Sequence, residues 1–237
     1  MSSLRIGLLR NDEFDGALYQ NFGGYQELFT ALLTTENFVP EITVYDMTAG
    51  QLPASPDQQQ GWIIGGSRSS ITEPEPWMAG LFRFIENLNA AQAPTVGGCF
   101  GHQAIAHALG GQVSRRAHWG VGLLPAEIKA TEWWMDPLHE APIISFCHTD
   151  EVTQLPTGGR TIAEADHSPF AMMAIDNHFL SMQPHPEFSA GFTHQLHEEW
   201  GHLFDETTRV QAAKSLAKNS DRSVIGSWIR TFLTRSA

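Results

Sequence analysis

The segment Gly97-Gly98-Cys99-Phe100-Gly101-His102-Gln103 constrains the fold more than any other part of this 237-residue chain. The short apolar run Pro94-Thr95-Val96 leads into it, and Ala104-Ile105-Ala106-His107-Ala108-Leu109 follows with the character of a helix. A G-x-C-x-G run between a strand and a helix has the form of a nucleophile elbow with cysteine in the serine position. Such a turn holds its central residue in a strained backbone conformation, so that the side chain projects alone above the sheet. Side chains two positions before and after would collide across so tight a turn, which accounts for Gly97 and Gly101. The helix that follows points its positive end at Cys99 and favours negative charge there. A sulfur placed this way suits attack on a carbonyl carbon.

The surrounding pattern agrees with a strand–turn–helix setting. Arg5-Ile6-Gly7-Leu8-Leu9 reads as a buried first strand, and residues 24–33 place apolar side chains at helical spacing. Ile42-Thr43-Val44-Tyr45 and Gly61-Trp62-Ile63-Ile64 read as further strands, the latter running straight into Gly65-Gly66-Ser67. Pro76 suits the first turn of a helix carrying Trp77, Leu81, Phe82, Phe84 and Ile85. Strands alternating with helices predict a parallel sheet covered on both faces. From about Gln112 the character changes. Residues 121–124, 143–146, 171–175 and 179 to about 183 read as short strands separated by Gly, Pro and Asp-Asn turns, an antiparallel section. Helices are expected over 192–204 and roughly 208–233. No repeat, low-complexity run or linker divides the chain, so one domain over residues 1–237 is expected, with a C-terminal helical extension from about residue 206.

Charge excludes some partners. Fourteen basic against 26 acidic residues give a net charge of -12, and no basic stripe is present for nucleic acid or an anionic membrane. The N-terminal residues are too poor in apolar side chains for a signal peptide, and no segment has the apolar length of a membrane span. Cys99 and Cys147 are the only cysteines, so no disulfide framework is in view and a cytoplasmic protein with reduced thiols is expected.

An attacking sulfur needs a base, and Gln183-Pro184-His185-Pro186-Glu187-Phe188 offers one. His185 follows a predicted strand, as Cys99 does, so both can reach the carboxyl edge of the sheet, where ligand chemistry gathers. Glu187 can turn back to hold the imidazole, as the acid of a triad does, and the flanking prolines stiffen the backbone. The amide of Phe100 is the first candidate oxyanion donor. A second fits the stretch 63–70, where Gly66 would let a backbone N–H approach a substrate closely.

Together these elements resemble the class I glutamine amidotransferases, whose cysteine lies in G-x-C-x-G-x-Q. The match is G-G-C-F-G-H-Q at 97–103, Gly65-Gly66-Ser67 as the oxyanion strand, and Gln183 to Phe188 as the H-P-E signature, colinear over roughly residues 4 to 204. The resemblance implies a flavodoxin-like, three-layer α/β fold with a central, mostly parallel sheet and a small antiparallel section. It implies that Cys99 attacks the γ-amide carbonyl of glutamine or of a γ-glutamyl amide, with His185 as proton carrier and Glu187 orienting it. Gln103 would contact the bound glutamine, and Cys147, His148, Thr149 and Asp150 correspond to the segment that grips its amino-acid end. That segment usually reads Ser-His-x-Asp, so Cys147 is a departure. Gly-Ser-Arg-Ser-Ser at 66–70 resembles the Gly-Ser-x-x-Ser variant of stand-alone members.

Three readings of the function stay open on sequence: a glutaminase feeding ammonia to a synthetase partner, a stand-alone hydrolase of γ-glutamyl peptides or γ-glutamylamines, and a silent binding protein on the same scaffold. None calls for a cofactor or a metal. His194, His197 and His202 share a helical spacing, but nothing else assembles a first shell around them. Trp77, Trp119 and Trp133-Trp134 read as core or interface packing rather than pocket walls.

Overall fold

Alternating apolar side chains within short strands set the architecture. In the computed structural model, which describes residues 3–235, β1 (Arg5–Arg10), β2 (Glu41–Asp46), β3 (Gly61–Ile64) and β4 (Thr95–Gly98) run parallel. Every residue of β3 and β4 is buried, as expected for central strands covered on both faces. The same sheet continues through β10 (Phe179–Met182), β9 (Ser168–Ile175), β8 (Gly159–Ala165) and β6 (Glu127–Ile128). Among the described residues it has eight strands in the order β2-β1-β3-β4-β10-β9-β8-β6. β10 is parallel to β4 and antiparallel to β9, so the change of direction falls beside the elbow strand. β5 (Gln112–Pro125) and β7 (Ile143–Gln154) form a separate antiparallel pair.

Helices cover both faces. Ile6, Leu8, Ile63, Val96 and Leu180 point to one face, toward α2 (Tyr25–Leu33) and α7 (Arg222–Arg235). Leu9, Trp62, Ile64 and Phe179 point to the other, toward α3 (Met78–Ala90) and α4 (Phe100–Ala108). This is the two-residue strand period written into a three-layer α/β fold, and the flavodoxin-like expectation holds. Along the described chain, α1 (Gly16–Phe22), α5 (Ala190–Trp200) and α6 (Glu206–Ser215) complete the helices.

Several boundaries differ from the sequence expectation. Pro76 lies in a turn before α3, whose first helical residue is Met78. The strands expected at 121–124 and 143–146 are the cores of the much longer β5 and β7. The helix expected over 192–204 gives way at Gly201 to a short turn of 3-10 helix. The run 208–233 is broken between α6 and α7, where Asp221 exchanges hydrogen bonds with Ile143: its carboxylate accepts from the Ile143 N–H at 2.8 Å, and its own N–H donates to the Ile143 carbonyl at 2.8 Å. No helix among the described residues is long and apolar enough to cross a membrane.

Candidate active site

Cys99 sits between β4 and α4 with φ 47° and ψ −104°, a strained conformation for a residue with a side chain. The two flanking glycines are there for different reasons. A Cβ on Gly97 would lie 2.9 Å from the Gly101 carbonyl carbon, across the turn, and 2.6 Å from Ile105 Cδ1. A Cβ on Gly101 would lie 2.2 Å from the Ile64 carbonyl oxygen, so this glycine lets α4 press onto the end of β3 rather than across the turn. Cys99 is the N-cap of α4, and first-turn N–H groups have no partner within the helix.

His185 reaches the same point from the end of β10. Its backbone N–H donates to the Ser145 carbonyl at 2.7 Å, bridging to β7. Its Nδ1 is 2.7 Å from Glu187 Oε1, and both side chains are buried. Phe188 stacks on the imidazole at 4.1 Å with ring planes 5° apart. Arg222 binds the carbonyls of Pro186 and Glu187 at 3.1 and 3.2 Å, fixing this turn from α7. Burial alone would lower the titration of His185. The negative charges of Cys99 and Glu187, and hydrogen bonds to both, outweigh it and raise the imidazole to about 10. The imidazole is therefore held as the cation beside the sulfur. The same two charges, added to burial, keep the Tyr25 phenol neutral, well above its ordinary value.

The sulfur and imidazole lie in the wall of a cavity of about 370 Å³. Gly66 packs close behind His185: a Cβ there would be 2.9 Å from the ring's Cε1 and 2.6 Å from Tyr25 Oη. Gly66 and Phe100, the expected oxyanion donors, are not among the cavity-lining residues. Gln103 lines the cavity, but its amide donates to the Asp150 carbonyl at 2.7 Å and to Gln183 Oε1 at 3.2 Å. Cys147, His148, Thr149 and Asp150 line it from β7. The Cys147 carbonyl faces Cys99 Sγ at 3.9 Å, and burial, then the neighbouring Cys99, pushes the Cys147 thiol far up. Burial, with His167 nearby, keeps His148 neutral, its Nδ1 3.0 Å from the Asp150 carbonyl.

Other residues reach the site without a signal in the sequence. The Asp150 carboxylate is held by Arg115 Nε at 2.9 Å and by the Ser70 hydroxyl. Gln183, quoted above only as part of a motif, points its Nε2 at Cys99 Sγ, 3.5 Å away. Trp119 packs against the core, as read from the sequence, but also lines the cavity, whereas Trp134 is packed in the core against Trp228 and Trp77 packs on Phe100. His202 also lines the cavity. No group of three or more His, Cys, Asp or Glu among the described residues could hold a metal ion.

A cysteine sulfur on a strained turn, an imidazole and a buried carboxylate are the parts of acyl transfer. A family model described as Glutamine amidotransferase class-I matches residues 21–199. The chain belongs to the class I glutamine amidotransferases. Among relatives of this chain, gamma-glutamyl peptidase 4 of Arabidopsis thaliana is 30% identical over 209 residues, covering 84% of this chain and 78% of that protein. The glutamine-hydrolyzing GMP synthase of Dehalococcoides mccartyi is 33% identical over 130 residues, covering 54% of this chain but 23% of that protein. The fold is shared with a glutamine amidotransferase from Methylobacillus flagellatus, with a TM-score of 0.75 and 21% identity over 98% of this chain and 92% of that one.

Proposed function

We propose that this protein hydrolyses a γ-glutamyl amide through a thioester on Cys99. The observation that carries the reading is the buried contact of Glu187 with His185, with His185 and Cys99 together in the cavity wall. The sulfur attacks the γ-carbonyl carbon, and the carbon–nitrogen bond breaks as His185 gives its proton to the departing nitrogen. Water, deprotonated by His185, then attacks the thioester, releasing the γ-carboxylate and restoring the sulfur. Glu187 keeps the ring in the required tautomer. The N–H groups of Phe100 and Gly66 hold the oxyanion, each contributing roughly 3–4 kcal/mol if typical. Gln103 and residues 147–150 flank the glutamyl portion. On this reading residues 1–237 act as one domain, with α6 and α7 as its helical extension.

The similarity to a γ-glutamyl peptidase spans most of both chains and supports a stand-alone hydrolase. The local similarity to GMP synthase supports a second reading, a glutaminase that passes ammonia to a synthetase partner. Turnover of glutamine and of a panel of γ-glutamyl peptides and amines separates the two, with glutamine preferred only in the presence of a partner if the second is right. The shared chemistry is tested by mass spectrometry of the enzyme quenched during turnover. A γ-glutamyl adduct on Cys99 is expected, with loss of at least about a thousandfold in rate for Cys99→Ala. Full turnover by that variant, or an adduct elsewhere, overturns the reading.

A further inference from the structure

Part of the cavity wall comes from beyond the family match, and part from an irregular stretch of strand within it. The family model ends at residue 199, yet Trp200, His202 and Leu203 line the cavity. Trp119 joins them on the wall, delivered by an irregularity in β5. Arg115 pairs with Asp150 and Gly120 with His148, so residues 116–119 stand against Thr149 alone. A bulge of this kind re-aims side chains beside a site. The two segments are fastened together: Trp119 packs edge-on against Phe204 at 5.1 Å, and His118 Nδ1 lies 3.6 Å from the Asp205 carboxylate. α6 then braces β5, where the Ser215 hydroxyl accepts from the Leu123 N–H at 2.9 Å. Leu203 is nevertheless 50% exposed, and both tryptophans are only half-buried.

A wall with this composition is wasted on ammonia. Gln103 and Asp150, the latter paired with Arg115, lie on the side proposed above for the glutamyl portion, and the charged Asp12 and Arg68 also line the cavity. A cavity of about 370 Å³ is large enough to take more than an amino acid. Resting on the hydrolase reading, we infer that Trp119, Trp200 and Leu203 form a leaving-group subsite for an amine bearing an aromatic or comparably large apolar group. The reaction consumes one water: the γ-glutamyl carbon–nitrogen bond breaks, the amine leaves with the proton from His185, and glutamate is released from Cys99. Apolar contact with the departing group steadies the orientation of the scissile amide over the sulfur, so selectivity is read in kcat/KM.

The test compares kcat/KM for γ-glutamyl-phenethylamide, γ-glutamyl-methylamide and glutamine. The phenethylamide is expected to be preferred over the methylamide by roughly 10- to 100-fold. Trp119→Ala and Leu203→Asp should each cut that ratio by roughly tenfold. Because it is a ratio, it is read on whatever fraction of each variant folds, and Leu203, half-exposed, gives a substitution outside the core. Turnover without selectivity, or variants that keep the wild-type ratio, overturns the subsite alone. No turnover of any of the three and no adduct on Cys99 overturns the hydrolase reading, and the subsite with it.

Discussion

Cys99 bears a positive φ that only its surroundings can hold, and the charge that builds up there is answered by His185. Since the folded chain raises the imidazole above its ordinary value of about 6.5, the folded state binds this proton more tightly than the unfolded one. The resulting stabilisation is complete below about pH 6.5 and is lost as the pH rises through about 10. Cys99→Ala removes the sulfur's share of the attraction and leaves burial opposed by Glu187 alone. An NMR titration of the His185 ring should show it protonated at about pH 8 in the wild type and with a midpoint at least about one unit lower in Cys99→Ala. An unmoved midpoint would remove the sulfur as a source of the shift. Cys99, His185 and Glu187 were all legible in the sequence, because a motif of neighbouring residues marks each. Arg115 was not, since it meets Asp150 from a separate part of the chain and nothing nearby in sequence sets it apart; Ser70 and Gln183 lay within quoted motifs, but their contacts with Asp150 and Cys99 were not visible there.

At the scale of elements, the elbow depends on two packed contacts rather than on helix propensity. Gly101→Ala would force a methyl group to within 2.2 Å of a backbone oxygen, which cannot swing aside. A loss of roughly 2–3 kcal/mol or more is expected in urea unfolding. Gly98→Ala, with nothing within 4 Å of the added atom, should change stability by less than about 0.5 kcal/mol. Equal costs for the two would mean that α4 does not rest on β3 as described. The central strands were legible because they are short apolar runs. α1 buries only Leu18, so no apolar stripe announces it, and α6, expected only as the start of one longer helix, buries just Ala212 and Ser215. The bulge in β5 was also hidden, because register depends on the partner strand and not on residues 116–119 themselves.

For the molecule as a whole, the segment beyond the family match is part of the core. Ile225, Trp228, Ile229, Phe232 and Leu233 of α7 are buried with Ile6, Leu8 and Ile63 of the sheet. A Cβ on Gly226 would lie 2.9 Å from the Leu32 carbonyl, which shows how closely α7 lies on α2. Trp228 is fully buried, and its indole N–H donates to the Pro137 carbonyl at 2.8 Å. Trp228→Ala should cost roughly 3–5 kcal/mol of unfolding free energy, measured with urea. A cost below about 1 kcal/mol would make α7 an appendage instead. Arg222 carries this packing to the site by holding the turn that contains His185.

Local chemistry decided the parts of this protein that local sequence can encode: the elbow, the H-P-E pair, the apolar strands and the layered fold they demand. Those features arise from steric and hydrophobic rules acting over a few residues. Tertiary structure alone decided which side chains surround the sulfur, because the polar cluster on Asp150 and the wall of Trp119, Trp200 and Leu203 are assembled from stretches that meet only when the sheet, the bulge and the C-terminal helices have packed. The sequence therefore points to the residues of the candidate site, and the packed chain shapes the cavity around them.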